Sequence, residues 1–171
     1  KDAIKSKIAD CKKESEQEGM QTVLFKAPSE YVKTDFTYSI DFTDKPYLPP
    51  NPYRGTVFNK HYYPLVGDMN KEELECARAL DINDNVEFWV RNIEKYQYAF
   101  YISMAHGRFY PDFVAKLKDD RILVVEYKGE HLATNADTED KMMVGELWEK
   151  SSNSKCLFLM GIKKNEVGLI Y

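Results

Sequence analysis

Two short apolar runs, Phe113–Leu117 and Ile122–Val125, flank Asp119-Asp120, and both end in charge on the side away from that pair. Asp112 precedes the first run, and Glu126-Tyr127-Lys128 closes the second. No other stretch restricts the fold so tightly. Apolar, β-branched runs of this length read as buried strands, and Asp tolerates the backbone of a tight turn between them. The segment from Asp112 to Lys128 is therefore expected to be a β-hairpin that turns at Asp119-Asp120. Strand alternation puts Ile122, Val124, Glu126 and Lys128 on one face, and Leu123, Val125 and Tyr127 on the other. Symmetric pairing about the turn sets Asp112 near residue 127, within a short reach of Glu126. Three charged groups then converge at one end of a hairpin that is otherwise apolar.

Charges gathered at a half-buried site are costly unless something compensates them. A divalent cation is the natural compensation, and hard oxygen ligands select magnesium, manganese or calcium over zinc. Magnesium takes one or two carboxylates and keeps water in the rest of its shell, a count that Asp112 and Glu126 match. Protonated Lys128 is no ligand; it would hold a phosphate oxygen, orient an attacking water or offset charge in a transition state. The spacing is equally compatible with a solvated Glu–Lys ion pair and a turn aspartate. Two acidic groups and a lysine are nonetheless what a metal-dependent phosphodiesterase needs at its centre.

With 171 residues the chain is long enough for one domain with a sizeable core, and its 12 Tyr, 9 Phe and 2 Trp argue against disorder. The net charge of −4 gives no general affinity for polyanions, so a grip on DNA would come from another part of a larger protein. Cys11, Cys76 and Cys156 are far apart and form no CxxC or Cys/His spacing. They support neither structural zinc nor a disulfide framework and read as buried reduced thiols of a cytoplasmic protein. The apolar runs are too short for a membrane span. The chain starts at Lys1 without an initiator Met and reads as part of something longer.

Periodicity and turn chemistry outline the remaining elements. A helix is expected over 1–18 ahead of Gly19, then short strands at Thr22–Phe25 and Val57–Tyr63, with a Pro-rich loop or wrapping arm at 43–55. A helix starts at Asn70-Lys71-Glu72-Glu73 with Leu74, Ala77 and Leu80 facing inward. Strands follow at Val86–Val90 and Tyr98–Ser103, then the hairpin. Asp137 is expected to cap a helix over 138–150 whose apolar face is Met143, Leu147 and Trp148, with Met142-Met143 as packing. Strands at Cys156–Met160 and Val167–Tyr171 complete the chain. The fold class is α/β: a mixed central sheet flanked by helices in the order αβββαβ, with an N-terminal extension. Residues 1–54 form the extension and residues 55–171 the core.

PD followed by ExK on such a core resembles the PD-(D/E)xK nuclease superfamily. More specifically, the chain resembles the C-terminal endonuclease domain of type III restriction enzymes and related DEAD/DEAH-box helicase–nuclease proteins. The stretches that carry the likeness are FNKHYYPLVGDM, ELECARALD, VEFWVRN, FYPDFVAKL, ILVVEYKGEHL and DTEDKMMVGELWEKSS before CLFLMG, over residues 55 to 161. The resemblance implies a restriction-endonuclease-like core and a magnesium-dependent DNA endonuclease, with manganese as a substitute ion. It implies Asp112 and Glu126 as metal ligands, joined by the Tyr127 carbonyl, and Lys128 as the catalytic lysine. An acidic residue on the first core helix joins the site in this superfamily, and Glu73 is the candidate; Asn70-x-x-Glu73 is also a capping box, which explains Glu73 equally well. DNA, a helicase/ATPase region of the parent chain and a DNA-modifying methyltransferase subunit are the implied partners, with no membrane. No phosphate-binding GxxxxGK[ST] loop is present, so any motor lies elsewhere. The rival expectation is a catalytically weak DNA-binding or regulatory module attached to such a motor. Lys141, His61 and His131 are further candidates to face the site or a phosphate, against surface or core roles for each; Arg91 reaches a phosphate or an acidic neighbour, and Trp89 is expected in the core.

Overall fold

The computed structural model of the chain describes residues 36–42, 45–104, 107–128 and 136–162. The helix expected over 1–18, the strands at 22–25 and 167–171, Cys11 and His131 lie outside these residues. In chain order the elements are α1 (Lys71–Ile82), β1 (Val86–Arg91), β2 (Ile102–Ser103), β3 (Arg108–Phe109), β4 (Phe113–Leu117), β5 (Ile122–Lys128), α2 (Ala136–Ser151) and β6 (Cys156–Ile162). β1, β4, β5 and β6 form a four-stranded sheet in that order, while β2 and β3 make a separate two-stranded ribbon. β1–β4 and β4–β5 are antiparallel and β5–β6 is parallel, so the sheet is mixed. The chain is therefore α/β as expected, with the ribbon inserted between the first and second strands of the sheet.

The hairpin forms, with a loop one residue longer than expected. Lys116 pairs with Ile122 and Phe113 with Val125. The Leu117 N–H donates to the Arg121 carbonyl at 2.9 Å, which leaves Lys118, Asp119 and Asp120 as the loop. Asp120 closes it at φ 71, a left-handed conformation that Asp tolerates. The register is thereby displaced by one residue, and its continuation sets Asp112 beside Glu126 rather than Tyr127.

The sheet is covered on both faces. Trp89, Phe113, Ala115 and Val125 pack with Ala77 and Leu80 of α1. Val114, Ile122, Val124 and Cys156 pack with Val144 and Trp148 of α2 and with Ile102 and Phe109 of the ribbon. Full burial of Val124 or Val125 contributes roughly 1.5–3 kcal/mol each. At Gly145, α2 crosses β6 so closely that a Cβ would lie 2.4 Å from the Phe158 ring. Leu74, Met143 and Leu147 are half-buried, Met142 is exposed, and Val144 and Gly145 are buried. Asp137 lies inside the first turn of α2 rather than at its cap.

Two expected strands shrink, each because a side chain claims the backbone. Val57–Tyr63 makes only an isolated bridge, His61 to Trp89. The buried Asp81 carboxylate accepts the N–H groups of Asn59 (3.0 Å) and Lys60 (2.8 Å) and the Trp89 indole N–H (3.0 Å). Burial disfavours that charge, but these donors outweigh it and hold the Asp81 pKa below its usual range. Of Tyr98–Ser103 only Ile102–Ser103 is strand, because the Asn92 amide takes the Phe100 N–H (3.0 Å) and carbonyl (2.8 Å). The described part of the arm wraps the core: the Trp148 indole donates to the Thr37 carbonyl at 2.9 Å and the Tyr47 hydroxyl to the Arg91 carbonyl at 2.7 Å.

Candidate active site

Arg91, Asp112, Glu126 and Lys128 stand together where β1 and β5 end and β4 begins. Alternation divides them between the two faces. Glu126 and Lys128 share the face of Val124, towards α2, whereas Arg91 shares the face of Trp89, towards α1. Asp112, just before β4, joins the two sides. Its Oδ1 accepts from the Arg91 guanidinium at 3.0 Å, and its Oδ2 accepts from the Tyr127 N–H at 2.8 Å. The main chain is pinned as well: the Asp112 carbonyl accepts from Arg91 Nη1 at 2.8 Å and from the Asn92 N–H at 2.9 Å.

Glu73 caps α1 and also lines the cleft. Its Oε2 accepts from the Asn70 N–H at 2.8 Å, which completes the capping box. Its Oε1 pairs with Arg91 Nη2 at 2.8 Å, and its carboxyl also interacts directly with that of Asp112. Burial raises the Glu73 pKa, and the Arg91 charge only partly offsets this.

Glu126 is the most deeply buried acid of the cleft, at 3 % exposure. Burial, then the neighbouring Asp112 charge, pushes its pKa up to about 7 despite Lys128 and Lys141. Lys128 Nζ lies 2.8 Å from Glu126 Oε1. Burial opposes the Lys128 charge, but the bond to Glu126 overcomes it and holds the ammonium above its ordinary range. Lys141 also faces the site: its Nζ is 3.8 Å from Glu126 Oε1 and 2.9 Å from Asp137 Oδ2.

These groups line a cleft of about 290 Å³ whose charged walls are Glu73, Glu94, Asp112 and Glu126 against Arg91, Arg108, Lys128 and Lys141. A second cleft, about 190 Å³ and bounded by Tyr47, Tyr63 and Tyr96, has no paired carboxylates. Among the described residues no group of three or more His, Cys, Asp or Glu side chains forms a metal cage. The donors at hand are two carboxylates and a carbonyl. Tyr127 directs its N–H to Asp112, and the N–H and C=O of one strand residue point to the same side, so its carbonyl faces the Asp112 edge beyond the end of β4. Hard oxygens in that number suit magnesium or manganese, which complete their shells with water.

The remaining candidates serve the frame. His61 Nδ1 lies 2.8 Å from the Tyr63 carbonyl, and Nε2 accepts from the Arg91 N–H at 3.1 Å, so the ring is neutral with its proton on Nδ1. Burial lowers its pKa accordingly. Trp89 is fully buried, as expected of a core residue. Cys76 and Cys156 are free thiols, and burial pushes the Cys76 pKa to about 12. Asn92 closes the VEFWVRN stretch, which gives it no role; besides Phe100, its amide donates to the Pro111 carbonyl at 2.8 Å and so holds the residue before Asp112. No local pattern marks this role, because the partners lie eight and nineteen residues along the chain. Among the described residues, no helix is long and apolar enough to cross a membrane. No family model, curated protein or solved structure gives a significant match to the chain.

Proposed function

We propose that the chain is a magnesium-dependent endonuclease domain that hydrolyses DNA phosphodiesters as part of a larger type III restriction or helicase–nuclease protein. The observation that carries this reading is the meeting of Asp112, Glu126 and Lys128 at one end of the two central strands, with the Tyr127 carbonyl turned to the same side. The mixed sheet between two helices is compatible with a restriction-endonuclease-like core.

Asp112, Glu126 and the Tyr127 carbonyl would hold the ion. When bound, magnesium supplies Lewis acidity towards a phosphoryl oxygen and lowers the pKa of a bound water. Lys128 contributes a positive donor beside Glu126, placed to orient a nucleophilic water or to offset charge on the phosphate. Arg91 sets the Asp112 carboxylate, and Glu73 in turn sets Arg91. Lys141 adds a second cation beside Lys128 on the α2 side. The test is cleavage of labelled DNA by the purified protein, and by the longer parent with and without ATP, in magnesium or manganese. Cleavage that persists undiminished in the Asp112→Ala/Glu126→Ala/Lys128→Ala variant would sink the mechanism.

One observation favours a non-catalytic DNA-binding or regulatory module instead. Arg91 and Lys128 already pair with the carboxylates, so the cleft is charge-balanced without an ion. Calorimetric titration with manganese separates the two readings. Binding that disappears in Glu126→Gln supports the nuclease; no binding at millimolar manganese supports the module.

A further inference from the structure

Where the ribbon meets the cleft, Arg108 and Tyr110 give it an aromatic and cationic lining, and Tyr101, which lines the neighbouring cleft of about 190 Å³, packs against both. Arg108, on the ribbon, sets its guanidinium 4.1 Å from the centroid of the Tyr101 ring. It also shares a side-chain hydrogen bond with Tyr110, whose ring centroid is 5.8 Å from that of Tyr101. Arg108 is exposed and Tyr101 is 37 % exposed, so a planar cation and an aromatic ring are presented to solvent together. Arg108 and Tyr110 line the same cleft as Asp112, Glu126 and Lys128, and Tyr110-Pro111-Asp112 links them directly to the first carboxylate.

We infer that the Tyr101–Arg108–Tyr110 wall receives an unpaired nucleobase beside the scissile phosphate, so that a single strand or a flap is bound in preference to uninterrupted duplex. The inference rests on the nuclease reading of the adjacent carboxylates and names the form of its substrate. Bases stack on aromatic and guanidinium planes regardless of their identity, and an unpaired base offers its face where a paired base hides it. A chain of net charge −4 gains little from general attraction to phosphates, so a stacking grip supplies what its charge does not. The ribbon is also suitably placed: it is inserted between β1 and β4, with β3 leading directly through Tyr110 into Pro111-Asp112.

The experiment reads binding without divalent ion and cleavage with it, so the two failures separate. Fluorescence anisotropy of the full chain is measured with a labelled oligonucleotide as a single strand and as a blunt duplex, and 2-aminopurine quenching reports stacking. The single strand is expected to bind on the order of tenfold more tightly. Tyr101→Ala should bring the two within about twofold of each other, Tyr101→Phe should retain the preference because it retains the ring, and Arg108→Lys should weaken it by removing the plane while keeping the charge. Equal wild-type affinity for both forms, or a preference unchanged in Tyr101→Ala, overturns the inference. In the cleavage arm, Glu126-dependent cutting that is faster on a flap than on blunt duplex, with the advantage lost in Tyr101→Ala, supports it. No Glu126-dependent cutting of any strand overturns the nuclease reading itself, and with it the claim that the wall serves a scissile phosphate.

Discussion

The two ends of the β4–β5 hairpin carry the same residue types and use them oppositely. At the loop end Lys116 pairs with Asp120 and Arg121 with Asp119, but Asp120 is 92 % exposed and the Arg121–Asp119 pair is about half so. At the other end Arg91, Glu73 and Asp112 have side-chain exposures of 13 to 18 %, and Glu126 only 5 %. Water screens Asp119, Asp120 and Arg121, and of the first set only Lys116 is half-buried. In the second set a charge without its partner is left facing a low-dielectric wall. Similar chemistry therefore closes a turn at one end and lines a half-buried charged cleft at the other; burial distinguishes them.

Substitutions that neutralise one end at a time test this contrast most directly. Glu126→Gln, Asp112→Asn or Lys128→Met should lower metal-dependent cleavage by at least on the order of 10²–10³-fold. Asp119→Asn in the same assay should stay within about twofold of the wild type. Comparable losses at both ends would dissolve the distinction.

Stability should follow the same division. Arg91→Ala leaves Glu73 and Asp112 without their shared cation and is expected to cost about 3 kcal/mol in urea unfolding. The equivalent cut at the loop, Arg121→Ala, should leave the unfolding midpoint almost unchanged. A small effect of Arg91→Ala would mean that water already reaches those carboxylates.

A smaller signal lies in pH, where the two ends have opposite signs. The Glu126 pKa is raised to about 7, so the folded protein holds its proton more tightly than the unfolded chain does. Its contribution is fully present below the ordinary Glu value and is lost as pH rises through about 7. Asp119 is held below its ordinary value by hydrogen bonds from the Arg121 side chain and backbone. Its contribution is present above the ordinary Asp value and is lost as pH falls through the lowered one. Unfolding curves of the ion-free protein between pH 5 and pH 8 should therefore decline with a slope that Glu126→Gln flattens and Asp119→Asn leaves alone. A slope unchanged in Glu126→Gln would place the titration elsewhere.

Much of the frame was legible in the sequence because it is written in short-range patterns. The capping box at Asn70 and Glu73, the inward phase of Ala77 and Leu80 and the strand alternation through Glu126 and Lys128 each depend on residues within one turn or one strand of each other. Val57–Tyr63 and Tyr98–Ser103 had strand-like composition, but the Asp81 and Asn92 side chains arrive from other elements and take the hydrogen bonds a strand would need. Nothing within those stretches announces this.

For the site, local order alone determined that Glu126 and Lys128 project together and that a hairpin returns Asp112 to them, because side-chain direction on a strand follows from backbone geometry. Tertiary packing decided which charges meet those groups. Arg91 comes from a neighbouring strand, Glu73 from the helix on one face and Lys141 from the helix on the other. Their convergence at one end of the central strands depends on how the two helices seat against the sheet, a matter of core packing among residues far apart in the chain. The same packing removes water from Glu126 and so raises its pKa; burial is a property of the assembled layers, and no residue carries it alone.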